Sequence, residues 1–192
     1  MRIRKPKLLT ILVDMDDTIE DLLVEWLHIL NKKYKCYVTL EDIHEWDLTK
    51  AYPKLTAEQV YSPLFTDDLW ENVKPKWDAV RYLRELIDDG HEVYITTSSN
   101  LKTINKKVES IINRYFPYIP SDHIIVCSNK QMIRGDVMVD DGPHNLENGE
   151  YHRILFTAPH NRYYDAKANG MRRADNWREV YSLIRGISYG VS

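Results

Sequence analysis

A largely apolar run, Leu8-Leu9-Thr10-Ile11-Leu12-Val13, breaks without a spacer into Asp14-Met15-Asp16-Asp17-Thr18. A run of this kind, rich in Ile and Val and followed by a helical pattern, suits a strand covered on both faces, as in parallel α/β sheets. The carboxyl end of such a strand is where these sheets build sites. Three carboxylates held in one small volume repel each other, at a cost that a cation or bound protons must offset. The plainer alternative is an acidic turn that caps the helix starting near Thr18.

The rest of the chain repeats the strand-then-helix theme. Ile19, Leu22, Leu23, Trp26, Leu27 and Leu30 recur at helical spacing and predict an amphipathic helix ending near Lys33. From Tyr37 to Lys74 no strand is evident; Thr39-x-x-Asp42 and Thr56-x-x-Gln59 resemble helix starts, so this stretch reads as a small helical insertion. A helix from Lys76 to Asp88 is stopped by Gly90, and a second strand follows at His91 to Thr96. A helix marked by Ile104, Val108, Ile111, Ile112 and Tyr115 comes next, then strands at 123–126, 136–139 and 153–156, and a closing helix around Trp177, Val180, Tyr181 and Ile184. Such alternation predicts a doubly covered parallel sheet with right-handed crossovers. With 192 residues, the chain has room for one α/β core and a small inserted lobe.

Composition narrows the partners. A formal net charge of -3 argues against a general DNA- or RNA-binding surface, which is normally basic. Cys36 and Cys127 are far apart and fit no metal-ligand spacing, so reduced thiols are expected. The basic start leads into too few apolar residues for a signal peptide or membrane span, and a soluble cytoplasmic protein is expected.

Four polar patterns fall at expected strand ends: Asp14-x-Asp16-x-Thr18, Thr97-Ser98, Lys130 and Asp140-Asp141. Each has an ordinary reading alone: Thr97 and Ser98 as helix caps, Lys130 as a surface charge, Asp140-Asp141-Gly142-Pro143 as an acidic turn. In a parallel sheet all four lie on one edge and converge. Taken together and in this order, they resemble the four motifs of the haloacid dehalogenase superfamily of phosphotransferases, and the resemblance covers nearly the whole chain. Two further stretches are more specific, because the chemistry does not require them. Ile154-Leu155-Phe156-Thr157-Ala158-Pro159-His160-Asn161 and Ala174-Asp175-Asn176-Trp177 are similar to segments of the pyrimidine 5′(3′)-deoxyribonucleotidases of cytosolic type.

This resemblance implies a Rossmann-like haloacid dehalogenase core, residues 1–18 and 75–192, with a helical cap inserted after the first strand, residues 19–74. It implies Asp14 as nucleophile, forming an aspartyl-phosphate, and Asp16 as general acid and base. Thr97, Ser98 and Lys130 would bind phosphate. Mg²⁺ would be held by Asp14, Asp16 through its carbonyl, Asp140, and Asp141 directly or through water. Trp46 and Trp70 are the candidates for a ring-lined base pocket, and Lys106 or Lys107 for an assisting lysine on the helix after Thr97-Ser98. The chain departs from the family at Asp17-Thr18, where Gly-Val is frequent, and at Leu22, where a base-contacting Phe is frequent. The substrate expected is a small nucleoside monophosphate, dUMP or dTMP by resemblance, with another small phosphometabolite such as a sugar phosphate as the alternative and a non-catalytic nucleotide-binding module as a third reading. A homodimer stays open, and no role is assigned to the histidines.

Overall fold

The computed structural model describes residues 5–191. Six strands form one parallel sheet: β1 (Thr10–Asp14), β2 (Glu92–Thr97), β3 (Ile124–Val126), β4 (Val137–Asp140), β5 (His152–Phe156) and β6 (Arg172–Ala174), in the order β3-β2-β1-β4-β5-β6. All neighbouring pairs are parallel. β1 is central because both of its faces are apolar. Ile11 and Val13 enter the larger core with Val93, Ile95, Val137 and Val139, while Leu12 meets Met138 and Leu155 in a smaller core on the opposite face.

Helices α1 (Leu22–Tyr34), α2 (Ala57–Tyr61), α3 (Asp67–Asn72), α4 (Trp77–Asp88), α5 (Ile104–Lys107), α6 (Asn113–Tyr115), α7 (Pro143–Leu146) and α8 (Trp177–Ser188) complete the chain. The chain leaves β1 for β2 on one side, whereas β4 pairs on the other, so the direction of winding reverses beside β1. Crevices at such reversals are where open α/β sheets bind ligands. The register Val13↔Val139 sets the next residues on each strand, Asp14 and Asp140, at this crevice.

Several elements differ from their sequence reading. α1 begins at Leu22 rather than Ile19, because Ile19–Asp21 first pairs with the returning chain: Glu20 bridges Pro75, Asp21 N–H donates to Lys74 O at 2.9 Å and Lys76 N–H to Ile19 O at 2.9 Å. This two-stranded neck joins the insertion to the core. The helix expected from Ile104 to Tyr115 is divided by a π-helical turn, Val108–Ile112. β6 escapes sequence reading because a three-residue edge strand carrying Arg172 and Arg173 shows no apolar run.

The insertion divides by packing. Leu23, Leu27 and Leu30 of α1 join Ile43, Leu48, Tyr52 and Val60 in a separate small core. Leu22, and Leu69, Trp70 and Val73 around α3, pack into the main core. Within 19–74, therefore, α3 and its flanks belong by packing to the sheet. Among the described residues no helix is long and apolar enough to cross a membrane.

Candidate active site

The site is built around a buried ammonium. Lys130, in a short 3-10 turn after β3, is 1% exposed; its Nζ donates to Asp14 Oδ1 and, at 2.7 Å, to Asp140 Oδ2. Burial alone would lower the Lys130 pKa, but the two carboxylates more than offset it and the net direction is up. Asp140 is fixed from its other oxygen, where Oδ1 accepts from Gly142 N–H at 2.7 Å and Asn145 Nδ2 at 2.9 Å. A side chain at position 142 would intrude here, since a Cβ would lie 3.1 Å from Asp140 Oδ1 and 2.9 Å from Asn145 Nδ2.

Asp14, Asp140 and Asp141 are all buried, and one carboxylate oxygen from each falls within 4.8 Å of the others. Burial, reinforced by Asp140 and Asp16 and opposed by Lys130, pushes the Asp14 pKa up to about 7. Burial, then the charges of Asp14 and Asp140, raises Asp141 well above the usual carboxylate range. Fully ionised, the three carboxylates would carry more negative charge than one lysine balances, and the raised pKa values are the expression of that imbalance. An oxygen-only set at this spacing fits a hard divalent cation.

Asp17 is the third acid of the first motif, and it plays a different part. Its φ of 53° is left-handed, a conformation open to Gly, Asn and Asp, and its Oδ1 accepts from Leu23 N–H at 3.0 Å, capping α1. The family's frequent glycine and this aspartate therefore satisfy the same backbone demand. Burial pushes the Asp17 pKa up to about 7. Glu20, wholly buried in the neck with neither carboxyl oxygen hydrogen-bonded, is pushed well above its ordinary value, first by burial and then by Asp16 and Asp17.

Above these groups lies a cavity of about 300 Å³. Asp14, Asp16, Asp141, Lys130 and Ser98 form its polar floor; Leu22, Leu23, Trp26, Ile43 and Trp46 form an apolar roof from the insertion. Small-molecule sites commonly join an apolar wall to a few convergent polar groups in this way.

Residues 7–188 match the sequence profile of the family described as 5′ nucleotidase, deoxy (pyrimidine), cytosolic type C protein. The chain belongs to this nucleotidase family. Family members are phosphoric monoester hydrolases of the 5′-nucleotidase type. The chain is 37% identical over 171 residues to the 5′(3′)-deoxyribonucleotidase of Bacillus subtilis, covering 88% of this chain and 95% of that protein. To the protein of the same name from Clostridium acetobutylicum it is 30% identical over 178 residues, covering 93% and 96%. The fold matches a haloacid dehalogenase-like hydrolase of Streptococcus pneumoniae with a TM-score of 0.66 at 12% identity, covering 92% of this chain and 98% of that one. A haloacid dehalogenase family hydrolase of Deinococcus radiodurans gives a TM-score of 0.64 at 13% identity, covering 97% and 98%.

In this nucleotidase the motif residues named from sequence converge unequally. Asp14, Asp16, Ser98, Lys130 and Asp141 line the cavity, with Asp140 directly behind Lys130. Thr97 is buried; its Oγ1 meets Lys107 Nζ at 3.0 Å and Ser99 Oγ at 3.0 Å. Trp46 stands at the cavity edge, its ring edge-on to His144 at 5.5 Å. Trp70, expected beside it, is instead 2% exposed within the main core, where Nε1 donates to Leu64 O at 2.8 Å. Leu69, Trp70 and Val73 form the apolar side of α3 and its end, and that side packs into the main core rather than toward the cavity. Trp26 reaches the cavity instead.

Sequence reasoning missed Ser128, His144 and His160 on the cavity wall. His160 Nε2 lies 3.2 Å from Asp141 O and 3.5 Å from Asp141 Oδ2, and burial lowers its pKa. Next to it, Asn161 Nδ2 donates to Asp141 O at 2.7 Å and Phe156 O at 2.7 Å. The Thr157–Asn161 stretch therefore has a physical task, which is to hold the Asp141 backbone. Arg162, one residue on, reaches the insertion: Nη1 pairs with Glu41 Oε2 at 2.7 Å and Nη2 donates to Leu40 O at 2.5 Å.

Proposed function

We propose that the chain is a cytoplasmic, Mg²⁺-dependent phosphatase of deoxyribonucleoside monophosphates, with dUMP and dTMP as preferred substrates and both 5′ and 3′ esters accepted. The observation that carries this reading is the crowding of Asp14, Asp140 and Asp141 around the Lys130 ammonium, directly beneath a small cavity with an aromatic and aliphatic roof. The printed names of the Bacillus and Clostridium relatives support the choice of ester.

Bound Mg²⁺, held by Asp14, Asp140, the Asp16 carbonyl, and Asp141 directly or through water, would supply the charge that lets a carboxylate approach a phosphate dianion. The chain's own groups perform the transfer. Asp14 attacks phosphorus, the bond from phosphorus to the ester oxygen breaks, and the Asp16 carboxyl proton passes to that departing oxygen. Water then attacks the aspartyl-phosphate and gives its proton to the Asp16 carboxylate. The bond between phosphorus and the Asp14 oxygen breaks, and the free carboxylate and inorganic phosphate are restored. Lys130 and Ser98 hold the phosphate oxygens during both transfers, and Trp46 with Trp26 walls the space for the base.

The test is phosphate release, with and without Mg²⁺, from a panel of deoxy- and ribonucleoside monophosphates and sugar phosphates. The expected result is Mg²⁺-dependent release, fastest from dUMP or dTMP. Comparable turnover of sugar phosphates would remove the nucleotidase reading, and no release from any ester would remove the enzyme.

A further inference from the structure

Lys107 is among the most enclosed charged groups in the molecule, at 2% exposed, and it does not line the cavity. Its Nζ lies 2.7 Å from Asp16 Oδ2, 3.0 Å from Thr97 Oγ1 and 2.8 Å from Ser99 Oγ. An ammonium has three N–H donors, and these three acceptors use all of them. The Trp70 ring packs against the same ammonium, 5.5 Å from Nζ to its centroid. No donor is left over for a phosphate. Lys106, the neighbouring candidate, turns away from the site and pairs with Asp67.

The view from Asp16 is complementary. Its side chain is 34% exposed at the cavity edge, on the loop after β1, and Lys107 is the cation hydrogen-bonded to its carboxylate. The Lys107 stem leaves the helix where it turns from α into the π turn Val108–Ile112, a local irregularity frequent at functional sites.

We infer that Lys107 is a positioning residue: it aims the Asp16 carboxyl at the departing ester oxygen and takes no part in binding phosphate. This rests on the phosphatase reading above, in which Asp16 protonates that oxygen. Thr97 and Ser99 fix the ammonium from below, and the ammonium fixes the acid. A misplacement of about 1 Å in such a group can lower a rate by about 10²-fold. The penalty falls on one kind of bond. A deoxyribose alkoxide cannot leave without a proton, whereas a thiolate in its place leaves unaided, so an ester with sulfur at the bridging position bypasses Asp16 in the first transfer.

The experiment compares kcat/KM, which reports steps up to the first departure, for dUMP and for the dUMP analogue whose bridging 5′ oxygen is sulfur. Wild type, Lys107→Met and Ser99→Ala are measured in the full chain with Mg²⁺. Lys107→Met is expected to lower kcat/KM about 100-fold for dUMP and less than about 3-fold for the thio analogue. Ser99→Ala, which removes one acceptor of the ammonium and leaves the carboxylates in place, is expected to show the same selectivity at about 5-fold on dUMP, and it decides the matter should Lys107→Met fail to fold. Equal losses on the two esters, or no loss on dUMP in Ser99→Ala, would overturn the inference. Wild type inactive on both esters would instead overturn the phosphatase reading.

Discussion

The rim of the sheet and the inserted cap hold their side chains by different means. At the rim, Lys130 and Asp140 are each fully enclosed and each hydrogen-bonded to at least two partners, so charge, burial and geometry specify one arrangement. The small core of Leu23, Leu27, Leu30 and Ile43 is separate, and Arg162 ties this lobe to the sheet domain at the surface, through the exposed Glu41 carboxylate and the Leu40 carbonyl. Removing either partner of a buried ion pair is costly, because the other charge is left uncompensated, while exposed pairs contribute little. The proposed chemistry thus falls where buried contacts fix the side chains, and the proposed substrate selection where the ties are exposed.

Lys130→Met should show the largest effect short of removing the proposed nucleophile, Asp14. It leaves Asp14 and Asp140 buried without their cation, and kcat should fall about 10³-fold, with stability down by about 3–5 kcal/mol in urea unfolding without Mg²⁺. A fall in neither would break the contrast at its stronger side. Trp46→Ala should raise KM for dUMP about 10-fold with kcat nearly unchanged, since a ring stacked on a base is worth about 1–3 kcal/mol. Trp70→Ala should instead lower stability by about 3–5 kcal/mol, because its ring fills the main core.

Arg162→Ala should raise KM about 3- to 5-fold, the scale of an exposed ion pair, and leave kcat within about 2-fold. A kcat loss as large as that of Lys130→Met would show that the cap takes part in the chemistry. A further effect concerns pH. Asp17 titrates near 7 in the folded chain against an ordinary 3.8, so the folded state holds the extra proton between those values and stability falls as pH rises through that window. Asp17→Asn keeps a side chain suited to φ of 53° and able to accept from Leu23. In EDTA its melting temperature should equal that of wild type below about pH 4, exceed it increasingly toward pH 7, and keep that margin above. A margin independent of pH would place the effect in the helix cap alone.

The same contrast explains what could be read from the sequence. Asp14 and Asp140 were legible because an apolar strand that ends in a charge announces a sheet edge, and parallel winding gathers such edges, whereas Lys130, four residues beyond β3, was singled out only by its place in the ordered set of motifs. The parallel winding followed from the alternation, but the strand order did not, and β6 escaped because its three residues carry too little apolar pattern. Side chains within the insertion were not legible, because an aromatic at helical spacing serves a core or a cavity equally well; Trp70 and Trp46 took opposite fates. Lys107 could have been separated from Lys106 by helical face, since it shares one with Ile104 and Ile111, three residues before and four after. The roles of Asn161 and Arg162 depend on contacts across more than a hundred residues or around a tight loop, which no local pattern carries.

The proposed path of the phosphoryl group meets its most direct test in rapid-quench trapping with dUMP labelled at phosphorus, followed by peptide mapping. The account expects transient label on the peptide containing Asp14, formed in the presence of Mg²⁺, lost on chase with unlabelled substrate, and absent from Asp14→Asn, whose turnover should fall about 10⁴-fold or more. Undiminished phosphate release from Asp14→Asn, or label carried by a different residue, would contradict it.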